Sequence, residues 1–162
     1  MIDKKKFYIN GEWIDAKGKE SIKVIDPSTE KSCAEISLGN KDDVNNAVIA
    51  AKKAYESWGF SSKEERIKLL ENLYVLYKKR WADIASAITM EMGAPKDFAT
   101  KLQAGTGASH IKSFIRYLKE FEFEKPLGEH APNQRIIYEP KGVCALITPW
   151  NWPMNQVCLK VI

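Results

Sequence analysis

Five consecutive apolar residues, Val143, Cys144, Ala145, Leu146 and Ile147, run straight into Thr148-Pro149-Trp150-Asn151-Trp152-Pro153. A run without polar alternation predicts a strand covered on both faces, the pattern of a parallel strand in an α/β sheet. Ligands in open α/β folds bind at the carboxyl edge of such strands, so the residues that follow are the first place to look for a site. Pro149 and Pro153 stiffen the chain on either side of Asn151. Pro153 suits the first turn of a helix, where its missing N–H costs nothing. Beyond it, Met154, Val157, Cys158 and Val161 fall on one apolar stripe, and Gln156 and Lys160 share another face with Pro153.

The chain upstream changes character once. Phe7 to Asp15 reads as a hairpin about an Asn10-Gly11 turn. Ser21 to Asp26 is extended and closed by Asp26-Pro27-Ser28, and Cys33 to Leu38 is a further strand ended by Gly39-Asn40. Helices follow. Asn40 or Asp42 can cap the first, whose stripe is Val44, Ala47, Val48, Ala51, Ala54, Tyr55 and Trp58, with Gly59 ending it. Ser61 or Ser62 with Glu64 and Glu65 forms a capping-box start for a second, whose apolar face continues from Ile67 through Trp81 to Ile84. Met92-Gly93-Ala94-Pro95 breaks that pattern. A third long helix is predicted from about Lys96 to Phe121. Gln134 to Tyr138 reads as a strand and Glu139 to Gly142 as a turn.

With 162 residues, 44% of them apolar and 28% charged, the chain has the composition of a soluble globular protein with one core. A formal charge of +4, spread among balancing acids, argues against a nucleic-acid stripe. No stretch is long and apolar enough for a membrane span or a secretory signal. Three cysteines, odd in number and without a CxxC pair, fit a reducing compartment, and the expected location is cytoplasmic. Neither His110 nor His130 has a second histidine at ligand spacing, so no metal site is expected. The glycines of Gly105-Thr106-Gly107 lack the lysine of a phosphate loop and are expected to permit close helix packing. His110 is expected on a helix surface or between helices.

Asn151 carries two readings. Its amide can donate to negative charge developing on a substrate oxygen, or it can simply cap the helix behind it.

From Phe7 onward the sequence resembles the N-terminal third of the aldehyde dehydrogenase superfamily. The matching pieces are INGEW (9–13), DPSTEK (26–31), the helix 42–58, EERIKLL (64–70), EMGAP (91–95) and, most specific, EPKGVCALITPWNWP (139–153). The resemblance implies an oxyanion-hole role for Asn151 and a cofactor face of NAD or NADP formed by Ile147, Thr148, Pro149, Trp150 and Asn151. It also implies a proton-relay role for Lys160, whose alternative is a surface lysine, and makes Trp152, Asn155, Gln156 and Leu159 candidates for the substrate tunnel. Two amides among those four point to a substrate that is not purely hydrocarbon.

The implied reaction oxidises an aldehyde to a carboxylate through a cysteine thiohemiacetal and thioester, with a glutamate activating water. None of the cysteines present is expected to attack: Cys144 is placed in the buried strand, Cys158 on a core stripe and Cys33 in an early strand. The nucleophile and the glutamate are therefore expected from later sequence. The chain is expected to be an N-terminal fragment, inactive alone. The rival expectation is a short non-catalytic protein that binds aldehyde dehydrogenase subunits.

The expected fold class is α/β, the N-terminal part of the aldehyde dehydrogenase fold, cut off. Residues 1–125 would be the strand-and-helix part of a dinucleotide-binding domain. Residues 126–141 would connect, carrying a strand used in homo-oligomer contacts. Residues 142–162 would be the first strand and the start of the first helix of a Rossmann-like core.

Overall fold

The computed structural model describes residues 2–162. Its first forty residues form strands β1 (Ile2–Lys4), β2 (Lys6–Ile9), β3 (Glu12–Asp15), β4 (Ser21–Asp26) and β5 (Lys31–Ser37). β2 and β3 pair antiparallel as the predicted hairpin, with Tyr8 opposite Trp13. Asn10 and Gly11 both take left-handed backbone angles, as a tight two-residue hairpin turn demands. β5 lies between β1, which runs parallel to it, and β4, which runs antiparallel. β1 escaped the sequence reading because three residues with two charges show no apolar alternation.

Helix α1 (Lys41–Trp58) starts on Asn40, whose side chain accepts from the Asp42 and Asp43 N–H groups while Asp43 bonds back to the Asn40 N–H. Asp43 is only 4% exposed. Its carboxylate also accepts from the N–H groups of Lys17 (2.8 Å) and Gly18 (3.0 Å), tying the loop after β3 to the helix. The backbone N–H of Asn40, then of Lys17 and Gly18, hold its carboxyl below the ordinary aspartate value. The apolar stripe predicted for α1 is covered only in part. Val48, Ala51 and Tyr55 are half-buried, whereas Val44, Ala47, Ala54 and Trp58 are exposed, because among the described residues no element lies over that side.

The predicted second helix is two helices, α2 (Lys63–Lys79) and α3 (Trp81–Met92). Ser62 and Glu65 form the expected capping box. Arg80 separates the two with a non-helical backbone (φ −97°, ψ 8°), and its guanidinium meets Asp83 at 2.6 Å. The apolar periodicity continues across Arg80, so pattern alone could not reveal the joint. Gly93 stops α3 at φ 74°; a side chain there would be strained and would strike Pro27. The third helix runs as a single turn α4 (Lys96–Phe98), a π-helical turn (Ala99–Gln103) and α5 (Ala104–Glu120).

Two cores result. Tyr77, Ala108, Ile111 and Cys158 pack together with Trp81, Ile84 and Met154 around them, and Ile88, Ala94 and Ala99 form a second cluster reached by the same Met154. The predicted close packing at Gly107 is present. Its missing Cβ leaves the space taken by the Tyr77 hydroxyl, with Met154 Cβ 3.1 Å from where it would lie. Gly105 is looser, facing Trp81 at 3.9 Å. The strand predicted at Gln134 to Tyr138 appears as β7 (Arg135–Ile137), antiparallel to β6 (Glu124–Pro126).

Residues 143–147 depart from expectation. They form no strand, and they are exposed rather than covered on both faces. A strand is defined by its ladder, and among the described residues no backbone hydrogen bond joins residues 143–151 to another element. Cys144, placed in a buried strand by the sequence, is accordingly exposed.

Candidate active site

The chain reaches the site through the exposed run 143–147, bends at residues 150–152 and enters α6 (Pro153–Val161) with Pro153 in its first turn. α6 is anchored from within. Cys158 is buried in the main core, where burial raises its thiol pKa, and Met154 bridges both clusters. Trp152 stacks edge-on against Phe98, ring centroids 5.6 Å apart. The motif is thus braced by α4 on one side and α5 on the other.

Thr148, Pro149, Trp150, Pro153, Met154 and Val157 form one wall of a hollow of ≈ 630 Å³, with Ile84, Ile88 and Glu91 of α3 on the other. The motif is nonetheless open: Ile147, outside that wall, is 86% exposed, and Trp150, on it, is 79% exposed. Asn151 is exposed, and among the described residues its carboxamide has no hydrogen-bond partner. It does not cap α6. The N-cap position belongs to Trp152 and carries no side-chain cap. The bland alternative for Asn151 is therefore not the one adopted, and its amide is available to a ligand.

Lys160 and Gln156 share a face as their spacing requires, the ammonium donating to Gln156 Oε1 at 2.8 Å. Both lie away from the packing stripe that carries Met154 and Cys158. Of the predicted catalytic and cofactor residues, the structure brings Thr148, Pro149 and Trp150 together on the hollow and leaves Ile147, Asn151 and Lys160 off its lining. Asn155 does not stand free. Its Oδ1 lies 2.7 Å from His110 Nε2 of α5, so His110 is interhelical. The sequence offered both placements for His110, and only the packing of α5 on α6 chooses between them.

The fold built from these parts, short strands followed by long helices that brace a proline-tryptophan-asparagine segment, is that of aldehyde dehydrogenases. It superposes on a solved aldehyde dehydrogenase from Bartonella henselae with a TM-score of 0.97 at 50% identity, covering 99% of this chain and 34% of that one. A variant aldehyde dehydrogenase from Pseudomonas syringae, solved in complex with NAD+ and octanal, matches with a TM-score of 0.92 at 38% identity over 97% of this chain and 32% of that one. In sequence, 3-succinoylsemialdehyde-pyridine dehydrogenase of a Pseudomonas species is 44% identical over 99% of this chain and 33% of its own length. The aldehyde dehydrogenase family pattern matches residues 13–162. The chain belongs to the aldehyde dehydrogenase family, and it spans about a third of the length of these relatives, corresponding to an N-terminal portion.

Proposed function

We propose that this sequence is the N-terminal portion of an NAD(P)-dependent enzyme that oxidises an aldehyde to a carboxylate, and that Asn151 donates its amide to the oxygen that becomes anionic. The observation that carries this reading is the exposed, unpartnered Asn151 carboxamide, which lies in sequence between Pro149 and Pro153, two residues that wall the hollow. One such donor contributes on the order of 3–4 kcal/mol to a transition state.

The residues present fit a dinucleotide. Between Ile147 and Asn151 the backbone N–H and C=O groups have no partners among the described residues, and the Ile147 and Trp150 side chains are open for apolar contact. Ile147, Thr148, Pro149, Trp150 and Asn151 would hold the cofactor. The bound cofactor supplies the hydride acceptor. Lys160 would hold a proton in a relay, with Gln156 orienting its ammonium. NAD+ accompanies the Pseudomonas syringae relative, and that precedent supports a nicotinamide cofactor here. The attacking cysteine and the glutamate that activates water are assigned to sequence beyond these residues. β7, with Ile137 exposed, is the proposed contact strand of a homo-oligomer.

Two experiments test the reading. The DNA past the codon for Ile162 should continue in frame and encode a cysteine and a glutamate; an immediate stop would favour the non-catalytic subunit-binding protein, to which the exposed run 143–147 would offer a surface. In the complete enzyme, Asn151→Ala should lower turnover by about 10²–10³-fold with folding intact. Unchanged turnover would remove the oxyanion role.

A further inference from the structure

Among the described residues, Ile111 and Gln103 are the largest side chains that the fold encloses completely, and Gln103 is polar. It lies in the π-helical turn 99–103 and is 1% exposed. Its carboxamide is poorly served there. Among the described residues Oε1 has no partner, and the one acceptor for Nε2 is the thioether sulfur of Met92, 3.7 Å away. A thioether accepts weakly. An enclosed amide so poorly paired is costly where leucine would pack without penalty.

Met92 is the last residue of α3 and is half-buried. It packs on the Ile88, Ala94 and Ala99 cluster and lines the same hollow as Thr148, Pro149 and Trp150. Two other methionines give a comparison. Met154 lines that hollow too, and Met90 stands two residues earlier in α3, on a different hollow. Both are half-buried, and neither sulfur receives a hydrogen bond among the described residues.

One oxygen atom added to the Met92 sulfur would remove the mismatch. Sulfoxide formation turns an apolar side chain into a polar one whose oxygen accepts hydrogen bonds well. The methionine side chain has three rotatable bonds, enough to turn that oxygen towards Gln103 Nε2. At Met154 the same oxygen would lie without a donor between the two apolar clusters that this residue bridges.

We propose that Met92 is a site of reversible oxidation by peroxide, and that Gln103 is the donor that accommodates its sulfoxide. The sulfur lone pair attacks hydrogen peroxide; an S–O bond forms, the O–O bond breaks, the thioether is oxidised and the peroxide is reduced to water. A sulfoxide reductase fed by a dithiol reverses the change, the oxygen leaving as water while the two thiols become a disulfide. A consequence for binding rests on the cofactor face proposed above. Turning the oxygen towards Gln103 moves the Met92 methyl within the hollow walled by Thr148, Pro149 and Trp150, so oxidation weakens dinucleotide binding.

The test uses the complete enzyme carrying this sequence, exposed while folded to dilute hydrogen peroxide. Peptide mass spectrometry should find Met92 sulfoxide ahead of the Met90 and Met154 sulfoxides by about fivefold, the ratio that one ordinary hydrogen bond sets. The oxidised enzyme should keep its melting temperature and lose NAD+ or NADP+ affinity several-fold, and a methionine sulfoxide reductase with dithiothreitol should restore that affinity. Met92→Leu should bind the dinucleotide equally before and after peroxide. Met92→Gln, which offers Gln103 an amide oxygen in place of sulfur, should melt as the unaltered enzyme does. In Gln103→Leu the lead of Met92 should vanish, and its sulfoxide should lower the melting temperature. Oxidation of Met90 or Met154 ahead of Met92, or a Met92 sulfoxide that unfolds the unaltered enzyme, overturns the proposal. Equal dinucleotide affinity in the reduced and oxidised forms overturns the consequence for binding. Binding in neither form overturns the cofactor reading and leaves the oxidation site standing.

Discussion

The Tyr77 hydroxyl donates to the carbonyl of Ala104 across 2.8 Å in the buried core, and the absence of a side chain at Gly107 is what gives it room. This contact ties α2 to α5 at the level where α6 docks. Burial drives the Tyr77 phenol pKa well above its ordinary value, so the group stays a neutral donor. Gly107→Ala places a methyl where the hydroxyl sits, backed by Met154, and should destabilise the chain by about 1–3 kcal/mol. Tyr77→Phe leaves the Ala104 carbonyl without that donor and should cost about 1–2 kcal/mol. Urea unfolding of each variant checks both values.

Asp43 gives the chain an acid limit. Its carboxyl pKa is depressed in the folded state, so its contribution is fully present above the ordinary aspartate value of about 3.9. That contribution is lost as pH falls through the lower folded value. Asp43→Asn should weaken the protein at neutral pH and flatten the dependence of its unfolding midpoint on pH in the acid range. Thermal melts between pH 2 and pH 7, as round limits, would show it. Parallel curves for the two proteins would mean that another carboxylate sets the limit.

The three thiols should react in the order of their exposure. Cys144 is open, Cys33 is half-buried and Cys158 is buried with its pKa raised by desolvation. A thiol reagent at pH 8 should modify Cys144 at once and Cys158 only as fast as the core opens. Mass spectrometry of digests taken over time resolves the order.

Lys160 separates a relay from a surface lysine. Among the described residues its one side-chain hydrogen bond is to Gln156, within α6, so Lys160→Met should change stability by less than about 0.5 kcal/mol. Turnover of the complete enzyme should nevertheless fall, and the fall should depend on pH. Turnover equal to that of the unaltered enzyme would leave Lys160 as an ordinary helix-surface cation.

Local chemistry was legible in the sequence wherever it is settled within a few residues. The Asn10-Gly11 turn, the Ser62-Glu65 box, the stop at Gly93 and the start at Pro153 all appear where their residue types place them. Features that depend on what lies alongside were not. Arg80 interrupts a helix whose apolar rhythm continues unbroken, and the π-helical turn at 99–103 has no compositional mark. The run 143–147 has the composition of a covered strand, but composition cannot supply the neighbouring ladder. For the site, spacing put Gln156 and Lys160 on one face, while the partnership of His110 with Asn155, forty-five residues apart, needed the packed helices.

The turn at Ala99–Gln103 sets where the chain tolerates a change of length. A π-helical ring spans one more residue than an α-helical one, and the Trp81 indole donates to the Thr100 carbonyl within it. Deleting one residue there would tighten the ring and leave Gly107, His110 and Ile111 aimed as they are, for the loss of a single indole bond. The same deletion just before His110 would swing everything beyond it by about 100° around the helix axis and turn the imidazole away from Asn155. Gaps and insertions accumulated by related sequences in this helix should therefore gather at the wide ring.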